Sequence, residues 1–332
     1  MERIEFKKQG YDPQVDYIKG LCILFVIWTH CINRDELGHI YYPFWGDTAV
    51  PIFLIIQVFH YYKKESNIRM PSMCKLWNRI LLPFLIMTAV MFATQYFIYY
   101  DDTDGSFSPS FYWDKRGPGS YYIFIYMEMT FVIPLFAPLF KRLSAKWLFL
   151  IFVALSQLIE FVTCITHCPD AIYRIAFFRY TFLIFLGFLL ATRGLEFNML
   201  TLAGGVISIL FIYLFNYTTI DMEPIFCTSL DHWPLCHWIC YIYIAYFFLW
   251  FIKHTYTSFH MPERFLSYIE KIGKYSYEIY LFQIFYYATI SLFIGDILSF
   301  VNSYPIQRIL FILLSTVICV APVVYLKDRK KS

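Results

Sequence analysis

The stretch Asp16 to His30, DYIKGLCILFVIWTH, decides how the rest of the chain is read. It is apolar from Leu21 to Trp28, yet it opens with an acid and a base and closes on a histidine. As a helix it places Lys19 and His30 eleven residues apart, close to three full turns. The two then lie about 20° apart on one face and about 16.5 Å apart along the axis. Ile23, Val26 and Ile27 stand between them on that face and give no polar relief. Ionisable groups on one stripe of an apolar helix are costly in lipid, so such a stripe faces a bundle interior or a wet cavity.

Working outward, hydrophobic residues make up 59% of the 332, aromatics 22% and charged residues 15%, with a mean hydropathy of +0.54. Soluble domains average about 25% charged residues. The composition is that of a polytopic membrane protein and leaves no polar segment long enough for a soluble core. Apolar stretches of crossing length occur at approximately 17–33, 44–62, 76–100, 119–140, 147–166, 176–192, 199–216, 233–252, 275–294 and 305–326. Glu2, Glu5 and Asp12 precede the first of them and no small-residue cleavage site follows it, so that span is expected to be retained. With alternating spans and a cytoplasmic N-terminus, 21 of the 27 basic residues fall on the inner side. Acids such as Asp35, Glu36, Asp101, Asp102 and Asp231 fall on the outer side. That asymmetry follows the positive-inside rule. The expected fold is an all-α transmembrane helical bundle of about ten spans, multi-pass in the cell membrane, with both termini cytoplasmic.

Several polar residues lie within or at the ends of spans. His30 falls toward the outer side; it is either a general base reached through a channel or a buried histidine bonded to a neighbouring helix. Asp16 can pair with Lys19 across one turn. Lys75 and Arg79, near Lys63, Lys64 and Arg69, are suited to a phosphorylated cytoplasmic ligand, and equally satisfy the inner-side charge bias. Glu128 and Glu160 are candidates for a polar core, with Arg179 as a partner for either, although Glu160 is near enough to an outer end to be solvated. Gln283, in YSYEIYLFQ, is a polar group that the bundle interior must satisfy.

Nine cysteines are scattered along the chain. Cys164, His167 and Cys168, and the looser set His232, Cys236, His237 and Cys240, lack the paired short spacings of a zinc site, so no metal is expected. A Cys227–Cys236 disulfide is open to that loop if it faces an oxidising compartment.

Four segments then combine. The first span carries Lys19 and His30 in an R-x10-H arrangement; VPIFLIIQVFHYYKK runs from Val50 to Lys64; KLWNRILLP runs from Lys75 to Pro83; and IGKYSYEIYLFQ runs from Ile272 to Gln283. In this order, over nearly the whole length, they resemble acyltransferase family 3, polytopic enzymes that acylate hydroxyls of cell-surface glycans and related molecules. There are departures. Lysine stands for the family's first arginine at Lys19, and Gln57-Val58 replaces a Ser-Gly in the second span. Only Arg79 matches the RxxR pair, and Gln283 stands where a YLxH histidine is usual.

The resemblance implies a single integral-membrane acyltransferase domain over residues 1–332, without the extracytoplasmic hydrolase-like domain appended in larger members. It implies acetyl-CoA or another acyl-CoA as cytoplasmic co-substrate and no permanently bound cofactor. The acceptor would be a glycan or lipid-linked sugar hydroxyl, in contact with membrane lipid and with no nucleic acid. On this reading Arg79 with Lys75 holds the donor's phosphates. Lys19, paired with Asp16 when empty, lines the donor path. His30 is general base or acyl relay, Glu128 orients it or completes the polar core, and Gln283 supports the site. A transporter or flippase for a surface-glycan precursor, or a catalytically inactive relative, is the competing expectation.

Overall fold

The computed structural model describes residues 3–7, 10–32, 34–63, 72–100, 119–218, 237–258 and 261–329. Lys64, Arg69, Asp101, Asp102, His232 and Asp231, and both cysteines of the Cys227–Cys236 expectation, lie outside the described residues.

The first helix, Pro13–Cys31, starts four residues before the expected span at 17–33. Pro13 supplies its first turn, and the Asp12 carboxylate caps it by accepting from Gln14 N (3.1 Å) and Lys7 N (2.8 Å). The helix is central rather than peripheral. Asp16, Tyr17, Ile18, Cys22, Ile23 and Ile27 are all buried, and its most extensive contact is with the helix Glu263–Lys274. Two glycines make that contact possible. A Cβ on Gly273 would fall on the Asp16 carbonyl, and one on Gly20 on the Ile269 carbonyl. Backbone meets backbone there, the small-residue route to close helix packing in membranes.

A second close approach joins Ala49–Tyr62 to Thr181–Thr192. The resemblance placed the small residue of this region on the second span, where Gln57-Val58 stands. The structure keeps the close approach and supplies the glycine from the other side. A Cβ on Gly187 would run into Val58 and the Ile55 carbonyl. Gln57 faces the helix Tyr122–Val132, donating to the Tyr126 carbonyl (3.0 Å) and the Thr130 hydroxyl (2.9 Å).

Among the described residues six helices are long and apolar enough to cross a membrane: Tyr42–Tyr62, Met73–Ile98, Tyr122–Arg142, Ala145–Ile165, Met199–Tyr217 and Tyr304–Arg329. The pair Ser276–Ala288 and Ile290–Leu298 passes the same test together but is bent by 60°, and Phe177–Thr192 is apolar and shorter. The expected first span, Pro13–Cys31, carries Gln14, Asp16, Lys19 and His30, and the expected eighth, now 238–258, ends in a polar turn; neither is among the six. The chain is therefore a membrane protein, with six or seven apolar helices of crossing length among the described residues. At the bend, Gln95 Nε2 donates to the Ala288 carbonyl (3.3 Å), so a broken helix keeps that backbone group satisfied away from water.

Segments assigned to one side by charge also meet in space. Arg3–Ile4 pairs antiparallel with Leu195–Glu196, and Lys253 donates to the Glu5 carbonyl at 2.7 Å. Lys271 pairs with Asp328 (2.8 Å), and Lys327 pairs with Glu278. At the opposite end Arg308 Nε lies 3.4 Å from Glu36.

Candidate functional site

The last turn of the first helix carries His30 to a point where three segments converge. Gly119 lies in the left-handed region (φ +83), which only glycine adopts without strain. Its carbonyl accepts from the Tyr280 hydroxyl at 2.9 Å. A Cβ on Gly119 would stand 3.6 Å from His30 Nε2, 3.6 Å from Gln283 Nε2 and 3.9 Å from the Tyr280 ring. The imidazole and the amide thus flank one small position that the missing side chain leaves open. Gln283 is fully buried, whereas His30 is only half-buried. Among the described residues His30 has no hydrogen bond or ion pair; its ring meets Tyr287 edge-on, centroids 5.7 Å apart.

Glu128 takes a different direction. Its carboxylate accepts from Phe177 N at 2.6 Å, at the start of the short turn Phe177–Tyr180, and among the described residues no bond joins it to His30. That turn delivers Arg179 into a buried cluster. The guanidinium carbon lies 4.5 Å from the Tyr180 ring centre, 5.5 Å from Tyr173 and 5.9 Å from Tyr121, and Nη2 donates to the Tyr180 hydroxyl at 2.6 Å. Tyr173 donates to Glu160 at 3.0 Å. Glu160 is 2% exposed, so its place near a span end does not make it solvated. Glu160 thus joins the buried Tyr173–Arg179–Tyr180 cluster, while Glu128 caps the turn that carries Arg179.

Toward the start of the same helix Lys19 Nζ lies 2.5 Å from Asp16 Oδ1. Lys75 and Arg79 are exposed, and among the described residues neither has a hydrogen bond or ion pair. Arg79 sits in a π-helical segment, Trp77–Leu81, a widened turn that is concentrated at functional sites. The start of the late helix links these two regions. Gly273 packs on Asp16, and four residues later the Tyr277 hydroxyl donates to the Ile80 carbonyl at 2.5 Å. Lys19 and Arg79 are thus neighbours of one segment without touching each other.

The sequence profile of Acyl_transf_3, an acyltransferase domain, matches residues 12–324. The chain belongs to that acyltransferase family. No curated protein and no solved structure matches it.

Within this acyltransferase the structure brings His30 and Gln283 together, keeps Lys19 with Asp16, leaves Lys75 and Arg79 on the surface, and turns Glu128 toward Phe177. Sequence reasoning missed Gly119, Tyr280 and Tyr287. Gly119 is the first residue of the expected span 119–140 with nothing local to mark it as part of a site, and nothing local distinguishes Tyr287 from the adjacent Tyr286. His237, noted as part of a loose cysteine–histidine set, is a buried helix cap whose Nδ1 accepts from Ile239 N (3.3 Å).

Proposed function

We propose that this acyltransferase moves an acetyl or similar short acyl group from cytoplasmic acyl-CoA to a hydroxyl of a surface glycan or lipid-linked sugar. The family match over residues 12–324 carries the reading. In the proposed topology the chain crosses the cell membrane ten times with both termini cytoplasmic. Coenzyme A is polyanionic and does not cross lipid, so its anchor has to be basic and on the inner side. Exposed Arg79 and Lys75 fit that need, and Lys19 can exchange Asp16 for a phosphate. His30 lies about three turns farther along the first helix.

In the transfer, His30 Nε2 takes the proton from the acceptor hydroxyl as its oxygen attacks the thioester carbonyl. The C–S bond then breaks, and the departing thiolate is protonated to free CoA. Histidine suits this role because it exchanges a proton near neutral pH. Gln283 Nε2, on the far side of the same open position, can donate to the oxygen that becomes negative. The alternative in which His30 carries the acyl group transiently uses the same geometry.

Turnover of acyl-CoA by purified protein, with glycan hydroxyls as acceptors, tests the reading. Release of CoA and acylation of the glycan by wild type, lost in folded His30→Ala, is the expected result. Equal turnover by both proteins removes His30 as base. No turnover and no acyl-CoA binding by wild type rejects the enzyme in favour of transport.

A further inference from the structure

We propose that Tyr287 is a positioning residue for His30, a role that rests on His30 being the proton acceptor. A helix end leaves carbonyls without intrahelical partners, and here that end is held by side chains from two other helices. Tyr287 donates its hydroxyl to the Ile27 carbonyl at 2.8 Å. Arg308 Nη1 donates to the Cys31 carbonyl at 3.1 Å, and Trp28 Nε1 donates to Thr316 Oγ1 at 3.1 Å. Cys31 Sγ lies 2.9 Å from the Tyr287 hydroxyl. A tyrosine hydroxyl has one proton; with it committed to Ile27, the Cys31 thiol is the donor in the second contact.

Tyr287 therefore grips the turn on both sides of His30, at Ile27 and Cys31, while its ring lies against the imidazole edge. Among the described residues no other side chain bonds this turn and also touches the imidazole ring. The turn is fixed and the imidazole is not, so the Tyr287 ring limits how far His30 Nε2 swings from the Gly119–Gln283 position. Small misplacements of a reacting group are expensive, about 100-fold in rate for 1 Å.

The test reads His30 directly, without requiring turnover. Diethylpyrocarbonate modification of His30 is followed by peptide mass spectrometry at one fixed pH on the full chain in detergent. Wild type, Tyr287→Phe, Tyr286→Phe and Cys31→Ser are compared, each first shown to be monodisperse. Tyr286 is the control, because its hydroxyl bonds Ser315 (2.8 Å) and not the first helix. Severalfold faster modification of His30 in Tyr287→Phe, with Tyr286→Phe and the donor-retaining Cys31→Ser near wild type, is the expected result. Where turnover is present, kcat of Tyr287→Phe should also fall, about 10- to 100-fold, with KM for acyl-CoA unchanged. Unchanged His30 modification in Tyr287→Phe, or an equal change in Tyr286→Phe, overturns the assignment. If wild type turns over no acyl-CoA but the modification pattern is as expected, the base role falls and with it the positioning role in transfer, and only the Tyr287 brace on the His30 turn stands.

Discussion

The two ends of the first helix solve the same problem in different ways. Near its start a lysine is neutralised by an aspartate three residues earlier on its own helix. At its last turn His30 has no such local partner; the turn around it is held by Tyr287, Arg308 and Thr316, all more than 250 positions away in the chain. A local pair can open without disturbing the bundle, which suits a residue meant to exchange its partner for a ligand. A remotely braced turn is rigid, which suits a residue meant to present one nitrogen at one place.

Five substitutions, one of them a control, break or sharpen that contrast. His30→Ala should lower acyl transfer about 100- to 10,000-fold, the usual range for a positioned general base, with its melting temperature near wild type. Gly273→Ala tests the frame that both ends share. The added Cβ meets the Asp16 carbonyl and should destabilise the protein by about 1–3 kcal/mol in thermal unfolding. Gly295→Ala, whose Cβ meets nothing within 4 Å, is its control and should be neutral or stabilising.

Arg79→Ala should raise KM for acyl-CoA about tenfold, or about 1.4 kcal/mol, with unchanged melting. The residue is exposed, so the effect should shrink as salt rises. The smallest effect is expected for Asp16→Asn, about 1 kcal/mol or less in stability, because the amide keeps an oxygen that can accept from Lys19 Nζ. A large loss from Asp16→Asn would mean that the start of the helix is braced as rigidly as its last turn.

Particular residues show where sequence reasoning reached and where it stopped. The start of the first helix, four residues before the expected span, is set within one turn by Asp12 and Pro13, a local signal the hydropathy reading did not use. The neighbourhood of Lys19 was legible because an i,i+3 pair needs only helical geometry. Glu128 was placed beside His30 as one of two options, yet its carboxylate caps a turn 49 residues later, a partner that no local pattern announces. Gln57-Val58 suggested a lost close approach, and Gly187 on the facing helix restored it. Packing depends on the pair of surfaces, and the sequence displays one surface at a time.

Hydropathy and composition by themselves determined that the chain is a membrane protein built of helices, with His30 eleven residues from Lys19. Those properties sum over short windows or act between residues a turn apart. Only the tertiary structure decided that Gly119, Gln283 and Tyr287 surround the histidine, and that the helix carrying it is buried at the centre. Which distant helices become neighbours is set by the fit of whole faces, glycine against backbone and hydroxyl against carbonyl, and that fit exists only once the bundle has closed.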